Sequence, residues 1–184
     1  ADEAGDQYGE RPTHIFVQAG VGSLAGAVVG YFANRYRENP PVMVVVEASA
    51  ADCLYRGAAA GDGEIRIVDG DMDTIMAGLA CGEPNTSWDI LKNHVSCFIS
   101  LEDCAAARGM RMLAAPLKGD RQVVSGESGA ASFAALAAIM RKDEYKELRE
   151  KLGLGKDSKV LCFSTEGDTD PERWKNIVWE GLER

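Results

Sequence analysis

Nine consecutive residues, Gln18-Ala19-Gly20-Val21-Gly22-Ser23-Leu24-Ala25-Gly26, carry the clearest chemical signal in the chain. They leave a β-branched and aromatic run, Thr13 to Val17, and enter a small, apolar segment, Leu24 to Tyr36, which predicts a glycine turn at a strand-to-helix junction. The first backbone N–H groups of a helix lack intrahelical partners and carry the positive end of its dipole, and residues without Cβ let an anion approach closely. Ala19 to Ser23 is therefore the candidate phosphate-binding stretch, with a plain tight turn as the alternative. No Lys-Ser or Lys-Thr follows it as a P-loop requires, and Ala25 stands where a Gly-x-Gly-x-x-Gly fingerprint needs its third glycine. Glu47, ending the apolar run Val42 to Val46, sits at the distance of a ribose-binding carboxylate and keeps a dinucleotide reading open.

Other reactive residue types are sparse. Two histidines, His14 in the first strand and His94 beside Cys97, leave little material for a zinc site or a Ser-His-Asp triad. Five cysteines, Cys53, Cys81, Cys97, Cys104 and Cys162, lack CxxC spacing and read as buried free thiols. The net charge of −9, with basic residues dispersed or interleaved with Glu144, Glu147 and Glu150, argues against nucleic acid or an anionic membrane as partner. No apolar stretch approaches the roughly 20 residues that span a bilayer, and the acidic start is no signal peptide, so a cytoplasmic location is expected.

The elements that must hold these groups alternate. At 184 residues and 46% hydrophobic, the chain can bury a sizeable core. Strands are expected at Thr13 to Val17, Val42 to Val46, Glu64 to Val68, Val95 to Ser100 and Lys159 to Phe163. Helices are expected at Leu24 to Tyr36, Ala50 to Ala59, Thr74 to Ala80, Ser87 to Asn93, Leu101 to Ala115, Ser125 to Met140, Tyr145 to Leu152 and Pro171 to Leu182. Residues 1–11 read as the end of a preceding segment and residues 12–184 as one unit. The order implies an α/β class, a three-layer sandwich with a mainly parallel sheet and a right-handed first crossover.

Three further polar, glycine-containing stretches join Gln18 to Gly26: Thr74 to Ala80, Ser125-Gly126-Glu127-Ser128-Gly129-Ala130, and Ser164-Thr165-Glu166-Gly167-Asp168. Together they resemble the second half of the fold-type II pyridoxal-phosphate enzymes, the threonine dehydratase and tryptophan synthase β group. Val46-Glu47, Ala51 to Arg56, Gly70-Asp71-Met72, Thr74 to Asn85 (TIMAGLACGEPN), SGESGA, Ser164 to Asp170 (STEGDTD) and Val178 to Gly181 are similar, more closely, to the diaminopropionate ammonia-lyases. The resemblance spans nearly the whole chain.

It implies pyridoxal 5'-phosphate as cofactor, with the Ala19, Gly20, Val21, Gly22 and Ser23 backbone on the phosphate. Ser164 or Thr165 would face the pyridine nitrogen, and Gly78 and Glu127 would line the ring pocket. A neutral hydroxyl leaves that nitrogen less firmly protonated and favours elimination at Cβ. Read without the resemblance, Glu127 is a first-turn carboxylate and Ser164 a turn hydroxyl. The implied reaction, in amino-acid degradation, converts 2,3-diaminopropionate to pyruvate and two ammonia, with a lysine as Schiff-base carrier and an acid/base near Cα. The family's lysine motif is absent, since all eight lysines fall in helical or surface patterns. The chain is thus expected to be the C-terminal portion of a larger two-domain enzyme, inactive without its N-terminal half and dimeric as the family is. Cys53 and Cys81 are placed by the resemblance where they could pair, and Glu47 where it could join a cation site. Asp168 and Asp170 read as solvated turn residues. A serine or threonine dehydratase, or a non-catalytic phosphate-ligand domain, are the alternatives.

Overall fold

A computed structural model describes residues 1–183. Four parallel strands, β1 (His14–Gln18), β2 (Val42–Ala48), β3 (Cys97–Leu101) and β4 (Val160–Cys162), lie in the order β3-β2-β1-β4. Phe16 is level with Val44 on one side and with Cys162 on the other, so β1 is the hinge of the topology. The chain steps from β1 to β2 to β3 in one direction, and β4 returns to the far side of β1. The topological switch point therefore lies at the carboxyl ends of β1 and β4, where open parallel sheets place their ligand-binding crevice.

Both faces of the sheet are covered, which explains why β1 and β2 are apolar without alternation. Ile15, Val17, Met43 and Val45 pack on one side against α2 (Ser23–Arg35), α3 (Cys53–Ala60) and α4 (Trp88–His94), through Val29, Phe32, Leu54 and Leu91. Phe16, Val44 and Val46 pack on the other against α5 (Asp103–Ala114) and α6 (Glu127–Arg141), with Ile177 of α8 (Pro171–Val178) closing that layer. The remaining helices, α1 (Asp2–Tyr8) and α7 (Lys146–Leu152), are short and peripheral. The three-layer α/β expectation holds. Side chains such as Phe16 and Phe32 are fully buried and each contribute about 1.5–3 kcal/mol relative to exposure.

Several expected elements differ. Glu64 to Val68 forms no strand; its backbone tie is Val68 N–H to the Gly82 carbonyl at 2.8 Å. Thr74 to Ala80 makes only a 3₁₀ turn at Ala77–Leu79, because the Asp103 carboxylate takes the Ile75 N–H at 3.0 Å and the Thr74 hydroxyl takes the Met76 N–H at 3.1 Å. The Ala50 to Ala59 helix is split at Asp52, whose carboxylate binds Arg56 at 2.7 Å and the Ser100 hydroxyl at 2.8 Å. The last helix stops at Val178 rather than Leu182.

Candidate functional site

The glycine turn begins where β1 ends. Ala19 extends the ladder by one bond, its N–H donating to the Val46 carbonyl at 2.9 Å. Gly22, with φ 96°, then caps α2 in the left-handed region that other residues enter only with strain. An added Cβ there would also meet Leu91 Cδ1 at 3.1 Å. Asn85 clamps the turn from outside: its N–H donates to the Val21 carbonyl at 2.9 Å and its side-chain amide to the Ser23 hydroxyl. That clamp uses the turn's acceptors and leaves its donors. Among the described residues no group accepts a hydrogen bond from the backbone N–H of Gly20, Val21, Gly22 or Ser23. The result is a row of unpaired donors at the positive end of a thirteen-residue helix.

Gly78 closes one side of this cup. Its carbonyl lies where a Cβ on Gly20 would come within 3.3 Å, and its own N–H donates to the Ser128 hydroxyl at 3.0 Å. Ser128 opens α6 together with Glu127 and Gly129. The carboxylate that caps this first turn is Glu166, which accepts from Ser128 N–H at 2.6 Å and Gly129 N–H at 3.1 Å. Glu127 faces α8 instead. Its carboxylate lies 3.4 Å from Arg173 Nε, within ion-pair distance, yet Oε1 is buried and makes no aligned hydrogen bond. Burial pushes its carboxyl up, its own backbone N–H and Arg173 oppose this, and Glu166 and Asp170 add to it.

The other side of the crevice is the turn after β4. Ser164 and Thr165 are exposed at its rim. The Ser164 hydroxyl donates to Ser125 Oγ at 2.9 Å, and Ser125 donates to the Gly126 carbonyl at 3.2 Å. Thr165 Oγ1 accepts from the Gln18 amide at 2.9 Å. Gly126 has no room for a side chain, since a Cβ would fall 2.6 Å from the Gly167 carbonyl. One continuous polar rim thus joins the cup, the SGESGA turn and the STEGDTD turn.

Gln18, Asn85, Ser125, Ser128 and Glu166 lie within the motifs quoted from the sequence but were given no role there. Of the other sequence candidates, Glu47 turns both its oxygens to backbone N–H groups of α3, accepting from Leu54 at 2.9 Å and Tyr55 at 2.6 Å. Among the described residues no three His, Cys, Asp or Glu side chains gather in a metal-binding cluster, and no helix is long and apolar enough to cross a membrane. Cys53 and Cys81 are free thiols, with Cys53 Sγ 3.7 Å from the Cys81 carbonyl oxygen. Asp168 is exposed, and Asp170 caps α8 by accepting from Arg173 N–H at 3.0 Å. No described lysine hydrogen-bonds or ion-pairs with the cup, Gly78 or the Ser164 turn. Lys92, Lys142, Lys146, Lys151 and Lys159 pair with acidic residues elsewhere, and Lys175 lies over Trp179.

The family model described as pyridoxal-phosphate dependent enzyme matches residues 1–166, including the cup, the SGESGA turn and the first residues of the STEGDTD turn. The chain belongs to that family. It is 50% identical over 187 residues to the diaminopropionate ammonia-lyase of Salmonella typhimurium and 49% identical over 185 residues to that of Escherichia coli K12, covering 98% of this chain in each case. The crystal structure of the Escherichia coli diaminopropionate ammonia lyase in complex with an aminoacrylate-PLP azomethine reaction intermediate superposes with TM-score 0.88 at 46% identity, over 99% of this chain. The chain spans 46% of the length of these relatives, about half. Members of the pyridoxal-phosphate dependent family need a phosphate site and a polar partner for a heteroaromatic ring. The unpaired donors of Gly20 to Ser23 and the rim hydroxyls fit those two needs.

Proposed function

We propose that this chain forms the cofactor-binding part of a pyridoxal-phosphate-dependent ammonia-lyase that converts 2,3-diaminopropionate to pyruvate and ammonia. The observation that carries the reading is the cup: four adjacent backbone donors without acceptors, at a helix N-terminus beside the β1/β4 switch point, with Gln18 just before it bonded to the Thr165 hydroxyl. In this reading the N–H groups of Gly20 to Ser23 and the α2 dipole hold the phosphate, at about 0.3–1 kcal/mol for the dipole alone. Ala19 sets their direction by remaining tied to β2. Gly78 forms a wall beside the cup, and Glu127 keeps a buried carboxyl near the first turn of α6. When bound, the cofactor supplies a sink for the electron pair left at the substrate Cα.

Ser164 and Thr165 offer neutral hydroxyls to the ring nitrogen, and neither brings a formal charge that would fix a proton there. The chain's own part is to bind, orient and tune; covalent attachment and Cα proton transfer fall to the half of the relatives' length that it does not span. We read residues 1–11 as the end of a preceding segment, residues 12–184 as the cofactor-binding portion, and the working enzyme as a cytoplasmic homodimer, on the strength of the sequence resemblance.

The test is a hybrid in which this chain replaces the matching segment of the Salmonella typhimurium relative. The hybrid is expected to hold the cofactor and to release pyruvate and ammonia from 2,3-diaminopropionate, and Gly22→Val is expected to abolish cofactor retention. A folded hybrid that retains no cofactor overturns the site. One that retains it and deaminates serine or threonine in preference overturns the substrate.

A further inference from the structure

Each polar group of Asn85 is engaged at or beside the glycine turn, and the direction of its side-chain bonds is settled by partners that have no choice. Its Oδ1 accepts from the Ser87 backbone N–H at 2.9 Å, and a backbone N–H can only donate. The other end of the amide is therefore Nδ2, itself only a donor, and it meets the Ser23 hydroxyl. Ser23 Oγ is the acceptor in that bond, and among the described residues nothing takes its hydrogen. The exposed Ser23 hydroxyl thus keeps a hydrogen to give, on the first residue of α2 beside the unpaired backbone donors. Capping the Asn85 to Ser87 turn uses only Oδ1; the bond from Nδ2 to Ser23 adds nothing to that turn.

The backbone of Asn85 acts on the same stretch. Its N–H donates to the Val21 carbonyl at 2.9 Å. None of the described peptide bonds is cis, and in a planar trans peptide the carbonyl and the following N–H point to opposite sides. With the Val21 carbonyl held by Asn85, the Gly22 N–H points away from Asn85. Gly22, having no Cβ, would otherwise let this peptide rotate, and rotation would set a carbonyl oxygen among the donors. The clamp is itself seated on α2: a Cβ on Gly26 would lie 2.5 Å from Ser87 Cβ, so the segment from Asn85 to Ser87 lies against the start of that helix.

We infer that Asn85 is a positioning residue for the phosphate of the bound cofactor, which keeps the Val21 carbonyl out of the cup and leaves the Ser23 hydroxyl as a donor to the anion. This rests on the cofactor reading above and deepens it. Asn85 acts through the turn rather than by touching the phosphate, and it makes the far end of TIMAGLACGEPN part of the cup.

Asn85→Asp and Asn85→Ala separate this role from that of a turn former. The aspartate keeps an acceptor for the Ser87 N–H but meets Ser23 with an oxygen that claims its hydrogen, whereas the alanine loses both bonds. The urea midpoint of the cofactor-free hybrid is expected to hold in Asn85→Asp and to fall in Asn85→Ala. Cofactor affinity is expected to fall in both, by about three- to tenfold in the alanine variant and by about tenfold or more in the aspartate. The 31P NMR resonance of pyridoxal phosphate in the hybrid holoenzyme should move in Asn85→Asp and stay in Asn93→Asp, which adds the same charge near the other end of α4. Ser23→Ala is expected to lower affinity by about three- to tenfold, and Asn85→Ala to add little in that background. Ser23 is exposed, so its variant reports even if a change at position 85 prevents folding. Parental affinity and resonance in Asn85→Asp, or an Asn85→Ala loss of equal size with and without the Ser23 hydroxyl, overturns the inference while leaving the cofactor reading intact. So does parental affinity in Ser23→Ala. A parent hybrid that binds no cofactor overturns both.

Discussion

Glu166 and Ser128, thirty-eight positions apart in sequence, are joined by a 2.6 Å hydrogen bond from the Ser128 backbone N–H to the Glu166 carboxylate. The STEGDTD turn thus caps the helix opened by the SGESGA turn, and the same oxygen also accepts from Gly129 N–H. Glu166→Ala removes an anionic N-cap and is expected to cost about 0.5–2 kcal/mol, read as a lower urea midpoint at unchanged slope. Glu166→Gln keeps one acceptor and should fall between parent and alanine variant.

The approach of α2 to α4 is set by Gly26. A Cβ there would lie 2.5 Å from Ser87 Cβ and 2.6 Å from its hydroxyl. Gly26→Ala improves helix propensity by about 1 kcal/mol, but overpacking of this kind costs about 1–3 kcal/mol, so the clash is expected to win. The Ser87→Gly background removes the obstacle. Gly26→Ala should be destabilising alone and neutral or stabilising in that background, by thermal midpoint. A penalty of the same size in both backgrounds would mean that the helices do not meet here.

Asp103 pins the loop that carries Gly78, taking the Thr74 hydroxyl and the Ile75 N–H on its two carboxylate oxygens. Asp103→Ala releases both, at about 1–3 kcal/mol of local stability. Faster amide hydrogen exchange at Ile75 and Met76, with core amides of β1 and β2 little changed, is the expected signature. Uniform acceleration across the sheet would instead show that Asp103 supports the global fold.

The sequence made some of this legible and hid the rest for a physical reason. The cup could be read because its donors are backbone groups on adjacent residues, and Val42 to Val46 because burial on both faces leaves a continuous apolar run. Glu64 to Val68 misled for the converse reason. Glu64, Ile65, Arg66 and Ile67 alternate as a half-buried strand does, yet Ile65 and Ile67 are exposed and no neighbouring strand pairs with them. Thr74 to Ala80 has helical composition but gives its first N–H groups to side chains. The decisive site pairs, Gln18 with Thr165 and Glu166 with Ser128, join segments far apart in sequence, and no local pattern encodes which hydroxyl meets which amide.

Glu47 gives the protein a pH dependence of known sign. Burial pushes its carboxyl up from 4.5 to about 7, against the N–H groups of Leu54 and Tyr55, while the Asp52 charge adds to the rise. Folding therefore favours the protonated form. Its contribution is intact below the unfolded value near 4.5, and is lost as pH rises through about 7. The ceiling on that loss is roughly 3 kcal/mol. Glu47→Gln cannot ionise, and its single amide oxygen can accept from only one of the Leu54 and Tyr55 N–H groups, so it should be less stable than the parent near pH 4 by a pH-independent amount and lose nothing further over the same window. Urea denaturation of both proteins from pH 4 to 8 provides the check. The parent should lose stability relative to the variant across that range, most steeply between 4.5 and 7; parallel curves would mean that Glu47 ionises normally despite its burial.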